Sequence, residues 1–116
     1  MAFEILIIDD NSDIRLILDE LITEAGYKTR MAANYNQALT EIDKKLPDVA
    51  IIDVKLDKGD NDGILLLNHI KRKNSDLPVI MISGHANIEM AVSSLKSGAF
   101  EFIQKPFDKD RLLNFI

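Results

Sequence analysis

A doubly wound α/β sheet is the fold class this sequence predicts, and three observations predict it. Five short apolar runs are spaced along the chain, each followed by a stretch of helical periodicity. The first, third and fourth runs are nearly continuous Ile, Val, Leu, Met and Ala, a pattern that suits parallel strands buried on both faces. The length, 116 residues, is that of one compact domain able to bury its own core. Alternating strands and helices in that length wind a parallel sheet through right-handed crossovers.

Each element follows in chain order. Ile5-Leu6-Ile7-Ile8 is the first strand, and Ile14, Leu18, Leu21, Ile22 and Ala25 recur on one face of a helix that ends at Gly26. Thr29 to Ala32 is a second strand of mixed composition, as at a sheet edge. Asn34 caps a second helix carrying Ala38, Leu39 and Ile42, which stops before Pro47. Val49-Ala50-Ile51-Ile52 forms the third strand, and Leu66, Leu67 and Ile70 mark the third helix. Val79-Ile80-Met81-Ile82 is the fourth strand, with Ile88, Ala91, Val92 and Leu95 on a helix that ends before Gly98. Phe100 to Ile103 is the fifth strand. The last helix, from about Asp108, has only Leu112, Leu113 and Ile116 to offer. At roughly two turns it falls short of the usual three, so the chain reads as cut from something longer, with apolar sheet surface left open to self-association. No interdomain linker, internal repeat or low-complexity segment interrupts the pattern, which makes residues 1–116 one domain.

The composition excludes several classes. Without cysteine there are no disulfides and no thiolate metal sites. The first apolar stretch, Glu4 to Ile8, is too short for a signal peptide or a membrane span, and a cytoplasmic address is expected. A net charge of −5 argues against direct nucleic-acid contact. The short basic runs, Lys44-Lys45 and Lys71-Arg72-Lys73, sit near predicted helix ends, where they complement the helix dipole.

Ligands of doubly wound sheets bind outside the carboxyl ends of the strands. In this sequence the first strand ends in Asp9-Asp10, the third in Asp53, the fourth in Ser83-Gly84 and the fifth in Lys105-Pro106. Singly, these are ordinary: an acidic helix start, a turn aspartate, a strand-to-helix turn, a turn fixed by proline. Together they bring three carboxylates, a hydroxyl and an ammonium to one rim, where packed carboxylates repel unless a cation intervenes. An oxygen-rich site free of cysteine suits Mg²⁺, which takes one or two carboxylates and completes its shell with water and phosphate. The chemistry that follows is phosphoryl transfer. Asp53 attacks as the nucleophile, the metal and Lys105 neutralise the transferring oxygens, and Ser83 donates a hydrogen bond.

With these residues on the page, the chain resembles the receiver domains of two-component response regulators over essentially its whole length. The resemblance is carried by Ile5-Leu6-Ile7-Ile8-Asp9-Asp10, Val49-Ala50-Ile51-Ile52-Asp53, Asp62-Gly63, Val79-Ile80-Met81-Ile82-Ser83-Gly84, Gly98-Ala99-Phe100 and Lys105-Pro106-Phe107. It implies a flavodoxin-like sheet of order 2-1-3-4-5. It also implies that Asp9 and Asp10 organise Mg²⁺, with the backbone carbonyl of Lys55 completing the metal shell. Asp53 would then be the phosphoacceptor, Ser83 and Lys105 would contact the phosphoryl oxygens, and Phe102 would be the switch aromatic. A finer similarity is to the NtrC family, and within it to NtrX-like receivers. It rests on Met81-Ile82-Ser83-Gly84-His85-Ala86-Asn87-Ile88-Glu89 with Ala91-Val92, and on the long loop from Val54 to Asp62. That similarity implies an NtrY-like sensor histidine kinase as partner. It also implies a homodimer through the face of the fourth helix, fifth strand and final helix, and AAA+ and helix-turn-helix domains beyond this chain.

Two departures stand out. Asp57 occupies the place where most receivers have a proline, and Lys58-Gly59-Asp60-Asn61 lengthen the loop by two residues, so a more mobile loop is expected. His85 lies two residues after Ser83, in the region that receivers use to tune phosphate lifetime; His69 falls on a polar helix face. A haloacid-dehalogenase-type phosphohydrolase also uses an aspartyl nucleophile with Mg²⁺, but its acids stand two apart after the first strand, whereas here they are adjacent. A nucleotide-binding module needs a Gly-rich loop where this chain has Asp9-Asp10-Asn11-Ser12. A signalling-inert interaction module is disfavoured because Asp9, Asp10, Asp53, Ser83 and Lys105 are all present.

Overall fold

The computed structural model describes residues 3–56, 59, 61–84, 88–105 and 109–114. Expectations for Asp57, Lys58, Asp60, His85, Pro106, Phe107 and Ile116 lie outside the described residues. Within them the chain runs β1 (Glu4–Ile8), α1 (Ser12–Glu24), β2 (Lys28–Ala32), α2 (Tyr35–Lys44), β3 (Val49–Asp53), α3 (Asp62–Lys73), β4 (Val79–Ser83), α4 (Ile88–Lys96), β5 (Glu101–Gln104) and α5 (Lys109–Asn114). The five strands form one parallel sheet of order β2-β1-β3-β4-β5. The fully apolar strands occupy its centre: every residue of β3 and β4 is buried. β2, with its Lys, Thr and Arg, lies at an edge, where mixed composition is tolerated.

Helix ends obey local chemistry. Asn11 caps α1 through its side-chain oxygen, which accepts from the amides of Asp13 and Ile14, and Asn34 caps α2 by accepting from Gln37. At the far end of α1, Gly26 takes φ +98°, and its amide and that of Tyr27 return to Thr23 and Ile22. The same pair of bonds closes α4 at Gly98 and Ala99. The basic run Lys71-Arg72-Lys73 fills the last turn of α3 as expected, and Lys71 also donates to the carbonyl of Leu77 at 2.6 Å.

Alternate residues of the three central strands feed two cores. On one face Ile5, Ile7, Ile51, Ile80, Ile82 and Ile103 pack under Leu18 and Ile22 of α1 and Leu112 of α5. On the other, Leu6, Ile8, Ala50, Ile52 and Met81 pack under Ala38 and Ile42 of α2 and Leu66, Leu67 and Ile70 of α3. The sheet face expected to be left open beneath the short last helix is covered, since these residues of the first cluster are almost completely buried.

Three expectations differ in detail. Ala25, placed on the apolar face of the first helix, is its exposed C-cap. Phe100 precedes β5 and is exposed, its amide bonded to Val79. The fourth helix is turned about: Ile88 is 83% exposed, Val92 42% and Leu95 47%, while the buried position is Ser94. Ser94 can lie against the core because its hydroxyl donates to the Met90 carbonyl of its own helix at 2.9 Å.

Candidate functional site

The strand order sets the carboxyl ends of β1 and β3 side by side, with β4 and β5 beyond them. Asp9 follows β1 directly, Asp53 closes β3, Ser83 closes β4 and Lys105 follows β5. Backbone bonds tie these ends together: Val54 donates to Ile82 at 3.0 Å and Lys105 to Ser83 at 2.8 Å. A rim of four parallel strands thereby carries the chemistry the sequence singled out.

Asp9 is fully buried, Asp53 and Ser83 nearly so, and Asp10 is exposed. Carboxylate oxygens of Asp9, Asp10 and Asp53 lie within 4.8 Å of one another, close enough for one small cation to reach all three. Lys105 extends across the end of β4 to place Nζ 2.8 Å from Asp9 Oδ2 and 3.4 Å from Asp53 Oδ2. Asp9 Oδ1 accepts the Asn11 amide at 2.9 Å, whereas the buried Oδ2 accepts no aligned hydrogen bond and has the Lys105 ammonium as its ion-pair neighbour. Asp53 Oδ1 accepts the Lys55 amide at 3.4 Å. Asp10, Asn11, Asp53, Lys55, Ser83 and Lys105 line one cleft.

Three carboxylates against one ammonium leave this cluster with two excess negative charges. The strain shows on Asp53, whose carboxyl is pushed up to about 6, first by burial and then by the charge of Asp9, with Lys105 opposing. Burial pulls the Lys105 ammonium down, but its two carboxylate partners prevail and hold it above its usual value. The donor set tests well against Mg²⁺: hard oxygen ligands, net negative charge and a buried carboxylate oxygen short of hydrogen bonds.

The predicted residues Asp9, Asp10, Asp53, Lys55, Ser83 and Lys105 converge. Phe102 does not line the cleft; it is half-buried on β5, in register with Met81, and packs against the α2–α3 core. Sequence reasoning passed over three contributors. Asn11 both caps α1 and holds Asp9, which its place ahead of an apolar helix could have signalled. Arg15 donates from Nη1 to the Asp9 carbonyl at 2.7 Å, and no spacing rule marks it. Gly63 was read only as half of a motif, yet its amide donates to Val54 at 2.8 Å, directly beneath Asp53.

Comparison with known proteins places this geometry. Residues 5–116 match the family model described as the response regulator receiver domain. The nitrogen assimilation regulatory protein NtrX of Azorhizobium caulinodans is 44% identical over 113 residues, 97% of this chain and 25% of that protein. The chain therefore spans about a quarter of the length of that curated relative. The crystal structure of the receiver domain of NtrX from Brucella abortus superposes with a TM-score of 0.86 at 43% identity, covering 95% of this chain and 92% of that one. The solution structure of the beryllofluoride-activated NtrC4 receiver domain dimer gives 0.87 at 34% identity, over 97% and 92%.

Proposed function

Since the chain belongs to the response regulator receiver domain family and is NtrX-like, we propose that Asp53 is its phosphoacceptor, charged by a sensor histidine kinase of NtrY-like type or by a small phosphodonor. The observation that carries this reading is the convergence of Lys105, from near the end of the sequence, on Asp9 near its start and Asp53 at its middle. Among the described residues, no helix is long and apolar enough to cross a membrane, and the reading places the domain's work in the cytoplasm.

Asp9, Asp10, Asp53 and the Lys55 carbonyl would hold Mg²⁺, which when bound neutralises charge on the phosphoryl oxygens. An oxygen of Asp53 forms the new bond to phosphorus as the donor's bond breaks, phosphorus–nitrogen with imidazole leaving from a phosphohistidine, or phosphorus–oxygen with acetate leaving from acetyl phosphate. Lys105 moves its ammonium from the carboxylates toward a phosphoryl oxygen, and Ser83 donates its hydroxyl to another. Drawing Ser83 inward frees space that Phe102 turns to fill, which biases a two-state equilibrium of the α4–β5–α5 face. The exposed Ile88, Val92 and Leu95 make that face suited to a homodimer, and the NtrC4 receiver dimer supports the mode. The domain is a receiver and not an enzyme in the usual sense; it catalyses only its own phosphorylation and dephosphorylation. In the complete regulator, AAA+ and helix-turn-helix domains would turn the switch into transcriptional control, with no nucleic-acid contact by this domain.

Incubation with Mg²⁺ and acetyl phosphate, read by intact mass beside Asp53→Asn, tests the reading. One added phosphoryl group, lost in the variant and with a chelator, is expected. Equal labelling of the variant would move the acceptor elsewhere.

A further inference from the structure

The start of α3 approaches the end of β3 more closely than any side chain would allow. A Cβ on Gly63 would lie 2.3 Å from the Asp53 carbonyl oxygen, 2.6 Å from Val54 Cα and 2.9 Å from the Asp53 carbonyl carbon. All three are backbone atoms, so no rotamer change relieves the overlap; strand and helix would have to move apart. The contact is also bonded. Gly63 donates to the Val54 carbonyl at 2.8 Å while Val54 donates to Ile82 of β4 at 3.0 Å. Val54, the residue that follows Asp53, is thus held through both its amide and its carbonyl, and Val54 and Gly63 are both buried.

We propose that Gly63 is a positioning residue for the divalent cation: its lack of a side chain lets α3 clamp the Asp53–Val54 backbone, which aims the Asp53 carboxylate and carries Lys55 to the rim. This inference rests on the reading that Asp53 and the Lys55 carbonyl hold Mg²⁺. It also accounts for how a loop two residues longer than in most receivers can follow the acceptor. The Gly63–Val54 bond ties the two ends of that loop together.

Gly63→Ala, measured for Mg²⁺ binding by calorimetry on the 116-residue chain, is the test, with two glycine variants as controls. Gly59→Ala lies in the same loop, where, among the described residues, a Cβ would meet only Asp62 Oδ1 at an ordinary 3.6 Å. Gly26→Ala strains a φ of +98° at the opposite end of the sheet, and so lowers stability without touching the site. Gly63→Ala should bind Mg²⁺ about 10- to 100-fold more weakly, the loss seen when partners that orient metal ligands are removed. Both controls should bind as the parent does. Parent-like affinity in Gly63→Ala, or an equal loss in Gly26→Ala, would overturn the inference and leave the Asp53 reading standing. Failure of the parent itself to bind Mg²⁺ would overturn both.

Should Gly63→Ala not fold, amide exchange of the parent decides. If opening of the Gly63–Val54 bond is incompatible with bound metal, Mg²⁺ at about 100 times its dissociation constant slows Gly63 exchange about 100-fold, beyond any slowing at Gly26. Unchanged exchange at Gly63 in the metal-bound domain would sink the proposal.

Discussion

Asp53 is held between opposing influences, and their balance has a consequence for stability. Its carboxyl titrates at about 6 against an ordinary 3.8, because burial and the Asp9 charge outweigh Lys105. Between those values the folded chain binds more protons than the unfolded one, so stability falls as pH rises through the window. The full cost, on the order of 2–3 kcal/mol, is present above the upper value. Asp53→Asn removes the charge and keeps the shape. In chelating buffer at pH 7 it should melt above the parent by about 5 °C or more, and near pH 4 the gap should close. Thermal melts at the two pH values check this, and a variant that melts lower at pH 7 contradicts it. Asp9, Asp53 and Ser83 were legible in the sequence because each stands where the apolar run of a strand ends. The Arg15 bond to the Asp9 carbonyl was not, since it depends on which way a helix faces after its first turn.

At the scale of elements, α4 is the departure with the most meaning. A stripe of Ile88, Ala91, Val92 and Leu95 at helical spacing reads as a core face, and in α1 and α3 similar stripes supply the buried residues. In α4 Ile88, Val92 and Leu95 of the stripe face outward, Ala91 is half-buried and Ser94 faces in. Periodicity reports that a helix has an apolar side; it does not report whether the rest of this chain covers it. Val92→Gln should therefore leave the unfolding free energy within about 0.5 kcal/mol of the parent, as for an exposed position. Urea denaturation reads it, and a loss above about 2 kcal/mol would place Val92 in a core. The Phe100 difference has a similar origin: an aromatic beside an apolar run reads as strand, but β5 begins one residue later with its pairing to β4.

For the whole molecule, the fold was legible because the determining signals are redundant: continuous apolar strands, an Asn cap at 34, and a helix-ending Gly26 all require the same alternation. Two cores on either side of one sheet also make stability a property of both layers. Leu67 is wholly buried between α3 and the sheet, and Leu67→Ala should cost about 2–5 kcal/mol in urea denaturation, with a cost below about 1 kcal/mol contradicting that packing. What the sequence left open is how closely backbones approach, as at Gly63, because pattern specifies faces and not distances. The claim on which the functional account turns is that one carboxylate at the sheet rim takes up the phosphoryl group. An acyl phosphate is reduced by borohydride to an alcohol, so an aspartyl phosphate becomes homoserine. Protein treated with acetyl phosphate and Mg²⁺, then reduced and mapped by peptide mass, should carry homoserine at position 53 alone. Homoserine at another aspartate, or none in protein shown by intact mass to be phosphorylated, would contradict the account.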